Sequence, residues 1–396
     1  MEEKQNTEKD LRRRHRIIWK LARPLARLIC WLRLGFRGRQ ERVKGPFLLV
    51  SNHVTDWDPV LVGCSFPQQF YFVASEHLFR SGLGGRFVAW AQAPIPRQKG
   101  GAAAGTVLAM MRHLKKGDSV AVFPEGNRCW DGVTAHFLPS LGKLARTGGV
   151  KLVTYRLEGG YFVSPRWAGG SLRRGPMRGH VVNVYSPEKL RAMTPGEINE
   201  HIAADLAEDA YARQRKDPRR YRGRRPAEHM ETLLFICPKC GMLHSLQSKN
   251  DTVRCWKCGF SFRYLPTGFL AGDGLPYDNL RDWNRWQEGE IARMCAQATD
   301  GKPIFTDGDV TVDKVDFAKG VGSVGTGEMR LFADRLELPG VSVPLERLSG
   351  IAMRGAQDLY VSDGEETYLI RSRLVKCMAK YISACRCLTG KTDLGV

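Results

Sequence analysis

The sequence predicts an α/β domain with a central sheet, followed by a small cysteine-paired module and a C-terminal barrel of β-strands closed by a helix. Three patterns carry this prediction. From Pro46 to about Val184, short β-like runs (PFLLVSN, QFYFVAS, APIPR, SVAVFPEG, VKLVTYRLEG, GHVVNVYS) alternate with helical stretches, as in a sheet whose strands are joined by helices. The segment CPKCG at 237–241 is answered by CWKCG at 255–259. After residue 300, strand-like runs (GEMRLFADRLEL, VSVPLERLSGIAM, QDLYVSD, ETYLIRS) succeed one another and end in the helical LVKCMAKYISACRCL, the order of a partly open barrel plus helix.

At 396 residues and 43% hydrophobic, the chain is long enough for two or three domains with a substantial core. Its 61 basic residues outnumber 41 acidic ones, a formal charge of +20. The expected partner is therefore anionic: phospholipid, nucleic acid or a phosphorylated substrate. Eleven cysteines in so long a chain are no disulfide scaffold, and a reducing cytosol is expected. No apolar core with a small-residue cleavage site marks a secretory signal, and no run of about 18 apolar residues marks a spanning helix.

Taken in order, residues 1–45 contain LRRRHRIIWKLARPLARLICWLRLGFR (11–37). Arg16, Lys20, Arg23 and Arg27 step by four, three and four onto one helical face, with Ile17, Ile18, Trp19, Leu21, Leu25, Leu28, Ile29, Trp31 and Leu32 opposite. This composition suits a helix lying among lipid headgroups, kinked at Pro24; the alternative is a surface helix packed on its own domain. The α/β domain covers 46–212. Its last helix starts at TPGE, where Thr194 caps, Pro195 takes the first turn and Glu197 completes a capping box, and it is expected to run to about Gln214. Residues 213–232 read as a polybasic linker, with eight Arg or Lys against Asp217 alone in RQRKDPRRYRGRR. The cysteine module covers 233–265, a linker helix 266–300 and the barrel 301–396.

His53 and Asp58 follow the strand FLLVS within LLVSNHVTDWDPV, and Pro59 suits the first turn of the next helix. Both fall in a strand-to-helix turn, where open α/β sheets bind substrates. A turn can fold Asp58 back onto the imidazole, fixing its tautomer and stabilising its cation. No serine nucleophile accompanies them: GDSVA at 117–121 lacks the last glycine of GxSxG and precedes a strand. A neutral imidazole can instead take the proton of a substrate alcohol, which then attacks an activated acyl carbonyl. FPEGNR at 123–128 and Arg97 in APIPRQK also emerge at strand ends. Arginines grip phosphate in bidentate fashion, and Gly126 lets backbone amides approach an anion. Glu125 cannot bind phosphate directly; a glycerol hydroxyl or an arginine is its expected partner.

With NHVTDWD, PIPR and FPEGNR in this order and at this separation, residues 46–185 resemble the glycerolipid acyltransferases typified by 1-acylglycerol-3-phosphate (lysophosphatidate) acyltransferase. The resemblance implies that His53 is the general base, Asp58 its orienter, and that Arg97, Glu125, Gly126 and Arg128 bind the acceptor's phosphate. It implies an acyl-CoA or acyl carrier protein donor, a lysophospholipid acceptor and a peripheral place on the cytoplasmic face of the cell membrane. Two departures stand out. Thr154 and Tyr155 occupy the family's VPV-like strand, and Asn127 replaces the commoner threonine.

Cys237, Cys240, Cys255 and Cys258 form two CxxC knuckles, with fourteen residues between Cys240 and Cys255. This is the spacing of a closed tetrahedral zinc site that is structural and not catalytic, in a module resembling zinc ribbons. The barrel has the pattern of a pleckstrin-homology or GRAM-like domain. GVGSVG at 320–325 precedes a strand and reads as a loop, GGAAAGT at 100–106 lacks a phosphate-loop lysine, and Cys377, Cys385 and Cys387 read as packing in the last helix. His244 has no place in a four-cysteine shell. The competing functions are transfer to glycerol phosphate or a lysoglycolipid, and a nucleic-acid-binding adaptor on an inactive acyltransferase fold.

Overall fold

The computed structural model describes residues 2–75, 94–97, 103–137, 139–316, 320–372, 374, 376–391 and 394; for residues 2–9, 75, 97, 103, 104 and 316 it describes the backbone alone. The chain divides into two compact units, Met1–Ser164 with Leu172–Arg222, and Pro165–Ser171 with Gly223–Val396.

The first unit is built on a seven-stranded sheet. Its strands are β1 (Phe36–Gly38), β2 (Phe47–Ser51), β3 (Phe70–Ser75), β4 (Ile95–Arg97), β5 (Ser119–Val122), β6 (Lys151–Glu158) and β7 (Met177–Tyr185). They lie in the order β1-β7-β6-β2-β5-β3-β4, and every pairing is parallel except β6 with β7. The unbroken apolar run of β2 reflects its central place, buried at all five residues. On one face Leu48, Val50, Val120 and Leu152 pack against α3 (Ala103–Lys115), α4 (Ser140–Thr147) and α7 (Pro195–Leu206), through Met110, Leu114, Leu141, Leu144, Ile198 and Ile202. Each such side chain, fully buried, contributes roughly 2 kcal/mol. The remaining α-helices of this unit among the described residues are α1 (Glu2–Leu34), α2 (Asp58–Ser65), α5 (Gly160–Val163), α6 (Pro187–Ala192) and α8 (Ala210–Lys216).

Helix α1 continues through Pro24. His15, Trp19, Cys30 and Leu34 are buried, whereas Ile17, Leu21, Leu25, Leu28, Trp31 and Leu32 are exposed, Leu21 to 75%. The apolar side of the helix is therefore divided: Trp19 packs on α2 at Gly63, where a Cβ would sit 2.8 Å from its ring, and the leucines remain outside. No helix among the described residues is long and apolar enough to cross a membrane.

The capping box at Thr194 and Glu197 is present, but the helix it opens stops at Leu206 instead of running to Gln214. Residues 132–134 capture the backbone there. Thr134 N donates to Glu208 O at 3.0 Å, Ala210 N donates to Gly132 O at 2.9 Å, and Asp209 caps α8 through Ala212 N. The polybasic stretch is likewise folded at its start. Arg213 pairs with Glu158 and Glu208, Tyr221 is buried, and Arg222 exchanges two backbone hydrogen bonds with Arg174.

The second unit joins the cysteine module to the C-terminal strands. A four-stranded antiparallel sheet, β8 (Leu246–Lys249), β9 (Thr252–Cys255), β10 (Ser261–Tyr264) and β11 (Leu270–Ala271), precedes α9 (Leu280–Ala296). This helix, expected as a linker, is a strut of the unit. Trp283 is fully buried beside Phe260 and Phe262, and Gln287 accepts from Phe235 N and Ile236 N while donating to Leu233 O. Seven further antiparallel strands follow: β12 (Phe305–Asp316), β13 (Gly320–Leu331), β14 (Arg335–Leu338), β15 (Val341–Pro344), β16 (Gly350–Arg354), β17 (Asp358–Ser362) and β18 (Thr367–Ser372). Their order is β15-β14-β13-β12-β18-β17-β16, and α10 (Ala379–Thr389) closes the chain. The two end strands, β15 and β16, are not paired with each other, so the sheet is a half-barrel among the described residues. GVGSVG lies in β13 and is not a loop, because Ser323, Gly322 and Val321 pair with Asp313, Lys314 and Val315 of the long strand β12. Cys377 is buried just before α10, and Cys385 is buried within it.

Candidate active site and candidate metal centre

The end of β2 and the start of α2 bring His53 and Asp58 together. Nδ1 of His53 lies 2.8 Å from Oδ2 of Asp58. The aspartate has no solvent exposure and is surrounded by donors: Val54 N at 2.6 Å and Thr55 N at 2.9 Å reach Oδ2, and Thr55 Oγ1 reaches Oδ1 at 2.6 Å. Four donors on one buried carboxylate fix its position. With Nδ1 bonded to Asp58, Nε2 has no partner among the described residues. The ring stacks on Phe123 at 4.7 Å between centroids, and its side chain is 20% exposed. The geometry is that of an oriented base with one nitrogen left for a substrate.

Residues to which the sequence reading assigned no role hold this turn. Asn52 Nδ2 donates to Leu157 O at 2.9 Å and its Oδ1 accepts from Leu157 N at 2.7 Å, pinning the loop to β6 as a strand residue would. Thr55 bonds Asp58 and Phe123 stacks on His53. The only sequence signal for these three was their place inside the two blocks.

Glu125 has backbone partners for which the sequence holds no clue. One of its oxygens accepts from His53 N at 2.6 Å and the other from Ala135 N at 2.7 Å. Burial pushes its pKa up to about 8, against the pull of those two amides and with added repulsion from Asp58. Glu125 is thus a latch between the histidine turn and residue 135. Glu125→Gln offers one acceptor where two are needed and turns an NH₂ toward an amide. It is expected to lower unfolding stability by about 1–3 kcal/mol, and an unchanged denaturant midpoint would rule out the latch.

Gly126, at φ 69°, closes a turn in which its own N–H donates to Phe123 O at 3.2 Å. That amide is already engaged. Arg128 faces the histidine block, with Nε 3.1 Å from Asp56 Oδ1 and Nη1 donating to Ser164 O at 3.4 Å. Arg97 ends β4, paired with Ser75; its side chain lies outside the described residues. Thr154 and Tyr155, the departures from the family's strand, are both buried. Thr154 Oγ1 donates to Asp205 at 2.8 Å, and Tyr155 OH lies 2.6 Å from Ser65 Oγ at the end of α2, over Gly179. Both serve the core.

In the second unit the sulfurs of Cys237, Cys240, Cys255 and Cys258 all lie within 4.8 Å of one another. Cys237 to Cys258 and Cys240 to Cys255 are both 3.8 Å. A tetrahedron with metal–sulfur bonds of about 2.3 Å has edges of about 3.8 Å, so the donor set fits a metal ion. Each knuckle is closed by a glycine amide, Gly241 N to Cys237 O and Gly259 N to Cys255 O. Ser245 Oγ lies 3.2 Å from the Cys255 sulfur. His244 stands apart from this shell, bonded to Lys380.

Residues 33–158 match the model of the family described as Acyltransferase. Among solved structures, the chain is similar to the 1-acyl-sn-glycerophosphate (LPA) acyltransferase PlsC from Thermotoga maritima, at 19% identity and a TM-score of 0.42, over 50% of this chain and 80% of that one. Among curated proteins, none matches. The matched stretch runs from the end of α1 through β6 and contains the His53–Asp58 pair.

Proposed function

We propose that the first unit moves a fatty acyl group from an acyl-CoA or acyl carrier protein thioester to the free hydroxyl of lysophosphatidate, at the surface of a membrane. The observation that carries this reading is the His53–Asp58 pair, whose Nε2 is left for a substrate proton. Nε2 takes the proton of the acceptor hydroxyl as its oxygen bonds to the thioester carbonyl carbon. The tetrahedral intermediate collapses by breaking the carbon–sulfur bond, and the leaving thiolate takes the proton from the imidazolium. Ester and thiol are the products, and no group on the enzyme is acylated.

Phosphate recognition falls to arginine. Arg128 is held by Asp56, which is itself 74% exposed, so an acceptor phosphate can replace that carboxylate without uncovering a buried charge. The exposed leucines of α1 supply a face for lipid, in keeping with a peripheral enzyme. The cysteine module is assigned a structural zinc ion.

The test is thioester consumption by the purified full chain, with lysophosphatidate, glycerol phosphate or a lysoglycolipid as acceptor, or with none. Thiol release that depends on lysophosphatidate is expected; release driven as well by another acceptor, or no release at all, overturns the acceptor or the reaction respectively. Salt-dependent RNA or DNA binding without turnover would favour the adaptor reading.

A further inference from the structure

Beside α1 the first unit has a second concavity, of about 370 Å³, lined by Arg27, Leu28 and Trp31 of the helix, Phe36 and Arg37 of β1, and Cys64 at the end of α2, among others. None of its lining residues lines the small cavity that contains His53. Its chemistry is one-sided. No carboxylate lines it, and neither Arg27 nor Arg37 has a hydrogen bond or ion pair among the described residues. A third guanidinium stands beside them. Arg23 donates to Cys64 O at 3.3 Å and to Oε1 of Gln40, and Gln40 Nε2 donates to the same carbonyl at 3.3 Å. Its pKa is lowered by burial and then by the charge of Arg27. Like charges held this close, with no acid between them, leave an electrostatic cost that a bound anion removes.

The surroundings say what kind of anion. Leu28 both lines the groove and belongs to the exposed row Leu21, Leu25, Leu28 and Leu32, and Trp31, 44% exposed, stands at the edge where polar and apolar surfaces meet. A ligand that satisfies both halves has a phosphate next to acyl chains. We propose that this groove holds the phosphate headgroup of an anionic membrane lipid, with the acyl chains along the leucine row. The site would make membrane docking selective for anionic lipid. This rests on the reading of α1 as a membrane-surface helix and adds a defined headgroup site to it.

The experiment is sedimentation of the full chain with vesicles of phosphatidylcholine alone and of phosphatidylcholine with phosphatidylglycerol. Three double variants are compared with the parent: Arg27→Gln with Arg37→Gln, Arg220→Gln with Arg224→Gln, and Leu21→Ser with Leu25→Ser. The first two remove the same charge, one pair from the groove and one from the exposed basic stretch. All the side chains replaced are exposed, and thermal melting checks that each variant folds. Removing the groove arginines is expected to lower the preference for anionic vesicles by about tenfold or more and to leave binding to neutral vesicles unchanged. The other arginine pair is expected to lower that preference much less. Equal losses from the two arginine pairs, or no loss from the groove pair, would overturn the headgroup site. Leu21→Ser with Leu25→Ser is expected to weaken binding to both vesicles. Parent binding to both vesicles alike would sink the groove alone, and no parent binding to either would sink the membrane reading along with it.

Discussion

Alanine in place of His53 is expected to slow acyl transfer by about three orders of magnitude, the effect of losing a positioned general base, and to leave the fold in place. The two effects separate because of where the ring sits. Its side chain is partly exposed, and its chief packing partner is the face of Phe123, so truncation forfeits about 1 kcal/mol of stacking. The other hydrogen bonds of His53 are made by its backbone: His53 N still donates to Glu125, and Cys129 N still donates to His53 O at 2.9 Å. Asp58→Asn is the instructive contrast. Its side chain has no exposure and meets four donors, three of them on Oδ2, so a neutral amide oxygen in that place must accept the same three hydrogen bonds without the charge that strengthens them. That variant is expected to lose activity and about 3 kcal/mol of stability together. Single-turnover thiol release and denaturant unfolding, measured on both variants, decide the matter: full transfer by His53→Ala removes the base assignment, and a stable, active Asp58→Asn removes the orienting role.

The features that could be read from the sequence are the local ones. The strand FLLVS, the turn that follows it and the pairing of His53 with Asp58 are all set within fourteen residues. The capping box at Thr194 is set within four. The two cysteine knuckles are set by a CxxCG repeat, whose glycines supply the positive φ that each turn adopts. The features that could not be read depend on contacts from far along the chain. Nothing near Glu125 in sequence says that its second oxygen will meet Ala135 N, and an acid in an FPEG turn can face either way until that contact exists. The helix starting at Pro195 keeps its periodicity past residue 206, and only the capture of 207–210 by residues 132–134 ends it. GVGSVG has the composition of a loop, and a twelve-residue partner strand makes it a strand. Trp283 gave the linker helix away in principle: a tryptophan in a solvated linker has no apolar place to go.

Removing metal from the cysteine centre is expected to unfold the module around it. The four strands β8 to β11 are two to four residues long, and they gather few large apolar side chains of their own. Their order depends on the two knuckles, which the tetrahedral sulfur arrangement joins, and on Trp283 and Gln287 reaching in from α9. Structural zinc in modules of this kind contributes on the order of 10 kcal/mol, comparable to the whole stability of a typical domain. Val315 of β12, Tyr360 of β17 and Leu369 of β18 form a separate apolar cluster, so the C-terminal sheet has a core that the metal does not supply. The metal-free chain is therefore expected to lack the module's own unfolding transition while keeping that of the C-terminal sheet, and zinc is expected to restore it. Cys258→Ser, which opens one edge of the sulfur tetrahedron, should behave like the metal-free protein even with zinc added. Elemental analysis should return one zinc per chain, and amide exchange within residues 237–264 should accelerate by several orders of magnitude on chelation. A chain that purifies without zinc, or whose exchange in that segment is indifferent to a chelator, would leave the four thiols as mere neighbours and remove the metal from the account of this fold.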